Sequence, residues 1–340
     1  MEPGGEVRTD VGRTQNEDVV FVETAARLHF GVLDLRGSLG RWFGGIGAAA
    51  EAPTLLVSAS AADTLDVSGE DADRARMFAA RFLACHGIRS GARVCVHRAL
   101  PPHAGLGSGT QLALAVARSL AEIHRLPTDP ASLARAAGRA GRSAVGTWTF
   151  AGGGLVVEGG RRRAGGSSDA IGPLIARLPF PPSWRCVLAV PDADPGISGA
   201  VEDAAFTRLP PPPQQEVARV AHLVLFGVLP AVADGDLAAF GSALTEIQDM
   251  NGRWFAPIQG GLFAPGPSDA LVRRLREWGA GGVGQSSWGP AVYGIVDGAE
   301  AGATLAAQVR DALSNRGTVY EGPFRDMGAR VRRAPASQPG

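Results

Sequence analysis

Apolar residues along this chain recur at two periods, and the period changes from segment to segment. Over residues 108–126, Leu112, Val116, Leu120 and Ile123 fall three or four positions apart with alanines between them and Pro127 behind, which predicts a helix with one apolar face. Met77, Phe78, Phe82 and Leu83 predict a second helix over 71–86, stopped by Gly87. Further helices are expected over 216–233, 237–250, 268–279 and 300–315, with a more polar one at 132–142. Strands are expected within 19–35 and over 54–60, 94–98 and 186–192, with VYGIV and TVYEG near the end and LVVEGG as an extended hairpin. GSLGRWFGGIGAAA reads as a turn-rich stretch, and the proline run at 209–213 as a linker or hinge. Strands and helices alternate without an internal repeat.

At 340 residues, with 45% hydrophobic and 19% charged residues, the chain can bury a full core and form two lobes of a soluble globular protein. The formal net charge is zero and no basic stripe is interleaved with aromatics, which argues against nucleic acid or an acidic membrane surface as partner. All 33 basic residues are arginine; the absence of lysine excludes Schiff-base and pyridoxal chemistry and the lysine-dependent P-loop. An anion must therefore be held by Arg, backbone N–H or a metal. Cys85, Cys95 and Cys186 are widely spaced and suggest neither a zinc site nor a disulfide framework. The N-terminus lacks an apolar signal core and no apolar run is expected to reach membrane-spanning length, so the default location is the cytoplasm, without membrane attachment.

Candidate chemistry concentrates where PPHAGLGSGTQLALAV turns directly into the 108–126 helix. Gly105, Gly107 and Gly109 let backbone approach a ligand closely, and the helix presents unpaired N–H groups and its positive dipole end there. The matching occupant is a phosphate or pyrophosphate; the bland alternative is a glycine-rich helix start that binds nothing. Ser108 is placed either to cap the helix or to touch a phosphate-bound metal. Three other stretches combine glycines with polar groups: 26–49 with His29, Asp34, Arg36 and Arg41; 250–261 with Asn251, Arg253 and Gln259; and 279–296 with Gln285, Ser286, Ser287 and Trp288. Loops of this kind suit a phosphorylated sugar.

The order of these blocks resembles the GHMP kinase superfamily. Within it, RLHFGVLDLRGSLGRWFGGIG, GLGSGTQLALAV, GRWFAPIQGG and GVGQSSWGPAVYG resemble the beta-ribofuranosylaminobenzene 5'-phosphate synthase family over roughly residues 22–330. The resemblance implies an α+β, two-lobe GHMP kinase-like fold: a disordered extension at 1–18, an N-terminal lobe with the phosphate loop at 19–180, a C-terminal lobe at 181–332 and a disordered tail at 333–340. It implies a homodimer, a requirement for Mg²⁺, and a decarboxylating transfer of ribose 5-phosphate from phosphoribosyl pyrophosphate to 4-aminobenzoate or 4-hydroxybenzoate in methanopterin biosynthesis. Two departures count against the superfamily's ATP-dependent kinases. Gly109 stands where a second hydroxyl residue is usual, and GRSAVGTWTFAGGG offers no Asp or Glu between Arg139 and Gly154 to serve as a phosphoryl-transfer base. A small-molecule kinase and a ligand-binding relative without turnover remain as alternatives.

That chemistry assigns roles. Gly105, Leu106, Gly107, Ser108, Gly109 and Thr110 would cradle pyrophosphate, with Ser108 on the metal side. Asp34 is a Mg²⁺ candidate or a turn-forming Asp. Arg27, Arg36 and Arg41 either pair with phosphate or carboxylate or are surface cations. The aromatic acceptor is expected near Trp148, Trp254 and Trp288, with Arg253, Gln259, Gln285, Ser286 and Ser287 as polar contacts, buried core Trp being the competing reading. His29 either moves a proton or is structural, and His103, inside the loop, is better placed for the same task. Arg161 to Arg163 read as a solvated hairpin tip.

Overall fold

The computed structural model describes residues 18–139, 141–163, 171–197 and 199–335. The first lobe opens with two long strands, β1 (Asp18–Asp34) and β2 (Arg41–Ala62), followed by β3 (Asp66–Gly69), α1 (Ala72–Cys85), β4 (Gly91–Arg98), α2 (Ser108–Ile123), α3 (Pro130–Ala136) and α4 (Val145–Gly152). Strands β5 (Leu155–Glu158), β6 (Arg161–Arg162) and β7 (Leu174–Leu178) complete its forward path. The second lobe holds β8 (Trp184–Pro191), α5 (Gly199–Arg208), α6 (Gln214–Leu223), a π-helical turn over Val224–Val228, α7 (Leu229–Asp234), α8 (Leu237–Gln259), α9 (Pro267–Glu277), β9 (Gly282–Gln285), β10 (Val292–Asp297), α10 (Ala299–Leu313) and β11 (Gly317–Pro323). The last strand, β12 (Arg330–Pro335), returns to the first lobe and pairs antiparallel with β1.

Two sheets organise these elements: one runs β12-β1-β2-β4-β3, with β5 and β6 on β2 and β7 on β5, and the other runs β11-β8-β10-β9. The fold is α+β with two lobes, as the motif order implies. The ends differ from expectation. Asp18 opens β1, and the expected boundary at 332 falls inside β12, because Asp18 to Glu23 hydrogen-bond along Arg330 to Pro335. The remaining terminal positions, 1–17 and 336–340, lie outside the described residues.

Helix α2 is where its apolar spacing puts it; Leu112, Val116 and Leu120 are fully buried against β1, β2 and α1. The stretch expected to be turn-rich turns only over Gly37 to Gly40; from Arg41 on it is the first half of β2. Its glycines are there for close packing: a Cβ on Gly47 would sit 2.2 Å from the Leu28 carbonyl oxygen, and one on Gly45 would sit 2.9 Å from Val145. The expected 132–142 helix ends at Ala136, and a further helix, α4, precedes the LVVEGG strand. Helix α8 continues past Met250 to Gln259, with Pro257 inside its final turn, so the block 250–261 is helical over most of its length. The composition-based expectation on membrane-spanning length also needs correction. Gln214–Asp234 forms 21 helical residues of mean hydropathy 1.6, long and apolar enough to cross a membrane by length and composition alone; part of this stretch is buried against α8.

Candidate active site

The glycine loop is pinned from both sides before it enters α2. Gly105 and Gly107 adopt φ of 80° and 73°, which a side chain would strain. A Cβ on Gly105 would also lie 2.1 Å from the Ser286 carbonyl oxygen. Arg27 N–H donates to the Leu106 carbonyl (3.0 Å) and the Arg27 guanidinium to the Gly105 carbonyl (3.2 Å). The Ser286 hydroxyl donates to the same Gly105 carbonyl (2.8 Å) while accepting from His29 N–H (2.9 Å). One buried hydroxyl thus joins β1, the glycine loop and the loop after β9. The Thr110 and Gln111 N–H groups bond back to the Gly107 carbonyl (both 2.9 Å), and the N–H groups ahead of them in the helix have no intrahelical partner.

In front of this loop lies a cavity of about 680 Å³, within the range of small-ligand sites. Of the residues singled out from sequence, Arg27, His29, His103, Gly105, Gly107, Ser108, Gly109, Thr110, Asn251, Gln259, Gln285, Ser287 and Trp288 line it. Leu106 is buried behind the loop, and Ser286 acts through its clamp rather than at the surface. The Asp34 carboxylate lies outside the lining, where Oδ1 accepts the N–H groups of Arg36 (2.6 Å) and Gly37 (2.8 Å); what the structure shows is the turn-forming Asp. Arg36 is exposed and donates to the Pro212 carbonyl, Arg41 donates to the Gly160 carbonyl (2.7 Å), and Arg253 is exposed and paired with Glu216 (3.2 Å); none lines the cavity. Trp148 and Trp254 likewise point elsewhere, toward the Gly172 carbonyl and Glu216. Trp288 alone of the three proposed tryptophans lines the cavity.

The amides near Trp288 are committed to the fold. Gln285 accepts from Ala264 N–H (2.6 Å) and donates to Gln259 Oε1 and the Ser287 carbonyl (both 2.9 Å), while Gln259 donates to the Gly261 and Leu262 carbonyls. These residues shape a wall.

Sequence reading missed most of the charge. Arg74 on α1, Arg139 and Arg142 after α3, and Arg161 on β6 join Arg27 in the lining, giving five guanidinium groups against the carboxylates of Glu202 and Asp203 on α5. A Cβ placed on Gly109 would lie 2.6 Å from Arg74 Nη2 and 2.9 Å from Arg139 Nη2, so both cations sit directly over the first turn of α2. Burial, then the neighbouring cations Arg74, Arg142 and Arg81, pulls the Arg139 pKa down to about 10 against the opposing pull of Glu202. Burial does the same to Arg27, again to about 10 and again opposed by Glu202. Arg142 bridges Glu202 and Asp203, each at 2.6 Å. The available signal was the pair of arginines bracketing Gly141 in GRAGRS.

His29 is a neutral ring: burial first, then the Arg27 charge, lowers its pKa to about 3. Its Nε2 lies 3.2 Å from Ser143 Oγ. Ser143 also hydrogen-bonds the fully buried Glu158, whose carboxyl burial pushes up to about 7.

The same cavity has an aromatic wall. Phe43 meets Phe206 edge-on at 5.2 Å, and Phe206 meets Phe255 at 5.9 Å and Trp288 at 5.8 Å. Trp288 donates its indole N–H to Glu202 (3.1 Å). Among the described residues no group of three or more His, Cys, Asp or Glu converges as a metal cage.

Two family models match the chain: the GHMP kinases N terminal domain over residues 74–154 and the GHMP kinases C terminal over residues 228–315. The chain is 36% identical over 296 residues to the beta-ribofuranosylphenol 5'-phosphate synthase of Methanothermobacter thermautotrophicus, covering 82% of this chain and 89% of that one. It is 35% identical over 304 residues to the protein of the same name in Archaeoglobus fulgidus, covering 87% and 93%. Among solved structures, a homoserine kinase from Cytophaga hutchinsonii superposes with a TM-score of 0.68 at 18% identity, covering 92% of this chain and 97% of that one. A Lactococcus lactis galactokinase complexed with galactose gives a TM-score of 0.63 at 12% identity, covering 92% and 95%. At such identities the structural likeness speaks for the fold alone.

Proposed function

This chain belongs to the beta-ribofuranosylphenol 5'-phosphate synthase family, of GHMP kinase-like fold, and on that footing we propose that it transfers ribose 5-phosphate from phosphoribosyl pyrophosphate to 4-aminobenzoate or 4-hydroxybenzoate with loss of CO₂. The observation that carries this reading is that an arginine-rich helix N-terminus and an aromatic wall line one cavity. A polyanionic sugar and an aryl ring need those two surfaces.

The bond changes are these. The bond from the anomeric carbon to pyrophosphate breaks and its electron pair leaves with pyrophosphate. The ring carbon bearing the carboxylate bonds to the anomeric carbon, drawing on electron density from the para amino or hydroxyl group. The bond to the carboxylate then breaks, its pair restores the aromatic ring, and CO₂ leaves. The ring neither gains nor loses a proton, so no general base is required, in keeping with a neutral His29 and with the absence of acidic residues from 139–154.

The first turn of α2 with Arg74 and Arg139 would hold pyrophosphate and stabilise the charge it gains on leaving. Mg²⁺ fits this cavity as a substrate-borne ion: it asks for one or two protein oxygens besides phosphate and water, and Ser108, Glu202 and Asp203 supply oxygens of the right kind. When bound it would neutralise pyrophosphate charge. Asp34, turned into its own loop, is not part of that donor set. The aromatic wall would exclude water and hold the acceptor face toward the sugar.

The test incubates the protein with Mg²⁺, phosphoribosyl pyrophosphate and each carboxyl-labelled acid, measuring labelled CO₂ and pyrophosphate, with ATP and a panel of alcohols in parallel. Equimolar CO₂ and pyrophosphate, dependent on both substrates, is expected. ADP formation without CO₂ release would return the chain to the kinases.

A further inference from the structure

The arginine run at 161–163, expected to be a solvated hairpin tip, is divided by the structure. Arg163 covers the Trp42 ring at 4.3 Å and donates to the Arg36 carbonyl, on the outside. Arg161 turns into the cavity, its guanidinium carbon 5.5 Å from the centre of the Phe43 ring. Its Nε–H is buried and has no hydrogen-bond partner, and among the described residues no carboxylate lies within ion-pair distance of it. Arg142, which also lies over a ring of the wall (Phe206, 5.6 Å), is by contrast neutralised by Glu202 and Asp203. Arg74 is paired with Asp71 (3.0 Å) and, with Arg139, sits over the first turn of α2. Arg161 is therefore the uncommitted cation at the aromatic end of the cavity.

Phe43 reaches that place at a cost. It adopts φ of 69°, a left-handed conformation that a bulky aromatic residue rarely takes. The fold sustains that strain by pairing Phe43 with Asp34 of β1 and pairing its neighbour Trp42 with Arg161. A strained aromatic ring, an orphaned buried donor and an unneutralised charge meet at one point.

We propose that Arg161 and the wall of Phe43, Phe206, Phe255 and Trp288 form the acceptor subsite, with the aryl ring against the wall and the carboxylate on the Arg161 guanidinium. The assignment rests on the proposed reaction for the identity of the acid, but recognition of an aromatic carboxylate follows from the subsite itself. A single guanidinium without a helix N-terminus matches one negative charge in a planar fork, whereas the α2 end has the cations and N–H groups for several. In this pose the fork fixes the rotation of the ring, so the carbon bearing the carboxylate is the one presented to the sugar. As that carbon becomes tetrahedral the carboxylate leaves the ring plane, so Arg161 acts mainly in acceptor binding and orientation.

The test titrates benzoate, benzamide and inorganic pyrophosphate by calorimetry into the wild-type protein and the Arg161→Gln and Arg161→Lys variants. The wild type should prefer benzoate to its neutral amide. Arg161→Gln should weaken benzoate by about 10- to 100-fold, the usual worth of a charge-assisted hydrogen bond, and leave benzamide and pyrophosphate within about twofold. Arg161→Lys should recover part of the benzoate affinity. In turnover, Arg161→Gln should raise the KM for the aryl acid and leave that for phosphoribosyl pyrophosphate in place. Equal wild-type affinity for benzoate and benzamide would overturn the assignment even if neither variant folds, as would a variant that loses pyrophosphate and keeps benzoate. A wild type that prefers benzoate yet releases no CO₂ would sink the reaction and leave the subsite standing. Turnover with an unchanged acceptor KM in Arg161→Gln would do the reverse.

Discussion

Ser286 carries two backbone groups on one hydroxyl, the His29 N–H and the Gly105 carbonyl, and its side chain is fully buried. In Ser286→Ala the buried His29 N–H loses its acceptor and the Gly105 carbonyl keeps only the Arg27 guanidinium, so the variant should lose about 2 kcal/mol by urea denaturation. Glu158 makes a prediction of opposite origin. Its carboxylate accepts the N–H groups of Gly160 (2.8 Å) and Ala144 (3.2 Å), yet burial wins and raises its pKa from 4.5 to about 7. The folded state then holds a proton that the unfolded state releases, so its contribution is intact below pH 4.5 and is lost as pH rises toward 7. The loss is up to about 3 kcal/mol. Thermal melts should show wild type losing ground to Glu158→Gln across that window and no further above it. His29 behaves in the reverse sense. Its pKa is depressed to about 3, so its contribution is present above pH 6.5 and drains away as pH falls. His29→Gln should therefore flatten the acid limb of the same curve. The residue type of His29 and Ser286 was legible in the sequence, but their roles depend on contacts across 257 and 181 positions, which periodicity does not encode. Glu158 was invisible, since LVVEGG reads as an ordinary hairpin.

Helix α2 was the most legible element because local signals agree there: an apolar stripe, good helix formers and glycines at the entry. Its function turns on Gly109, which lies in the first helical turn with an ordinary backbone conformation. Gly109→Ala should leave stability near or slightly above wild type, since alanine favours a helix by about 0.8–1.0 kcal/mol over glycine. The added methyl would occupy the space of the Arg74 and Arg139 guanidinium ends, which are flexible and would swing away. Pyrophosphate affinity by calorimetry should fall by at least about 10-fold, while the unchanged melting temperature separates lost binding from lost fold. The elements that were not legible share one physical cause, tertiary packing overriding local preference. Gly45 and Gly47 read as turn residues, yet β2 needs them because Val145 and the Leu28 carbonyl lie where a Cβ would be. Gly252 makes the same point in α8, where a Cβ would lie 2.5 Å from the Leu262 carbonyl oxygen. The charged half of the site escaped notice because Arg74, Arg139 and Arg161 come from α1, the loop after α3 and β6, and only the fold brings them together.

At the scale of the molecule, the two lobes implied by motif order share their larger apolar cluster. A single buried cluster runs from Val22, Leu28 and Phe30 of β1 through Phe240 and Leu244 of α8 to Trp184 and Cys186 of β8 and Tyr293 of β10. Phe30 is its hinge, fully buried, 5.0 Å from Tyr293 and 6.4 Å from Phe240 by ring centres. Polar ties follow the same line, with Asn251 of α8 hydrogen-bonding both the N–H (2.6 Å) and the carbonyl (3.1 Å) of Val32. The return of β12 to β1 adds a covalent reason for the lobes to fold together, since the chain's last strand completes the sheet its first strand begins. A division of the sequence near residue 180 therefore marks a change of sheet but does not part the larger cluster; a smaller one, with Leu271 and Leu275 of α9, Val283 of β9 and Val309 of α10, belongs to the second lobe alone. Chains of this length often unfold in steps, lobe by lobe. Continuity of the core predicts otherwise here: unfolding followed by tryptophan fluorescence and by far-ultraviolet circular dichroism should trace one coincident transition. Phe30→Ala should lower that transition by about 3–5 kcal/mol without splitting it, because the cavity it leaves weakens both lobes at once. Two separated transitions in the wild type, or a variant that melts one lobe and spares the other, would mean that the shared interior does not couple them.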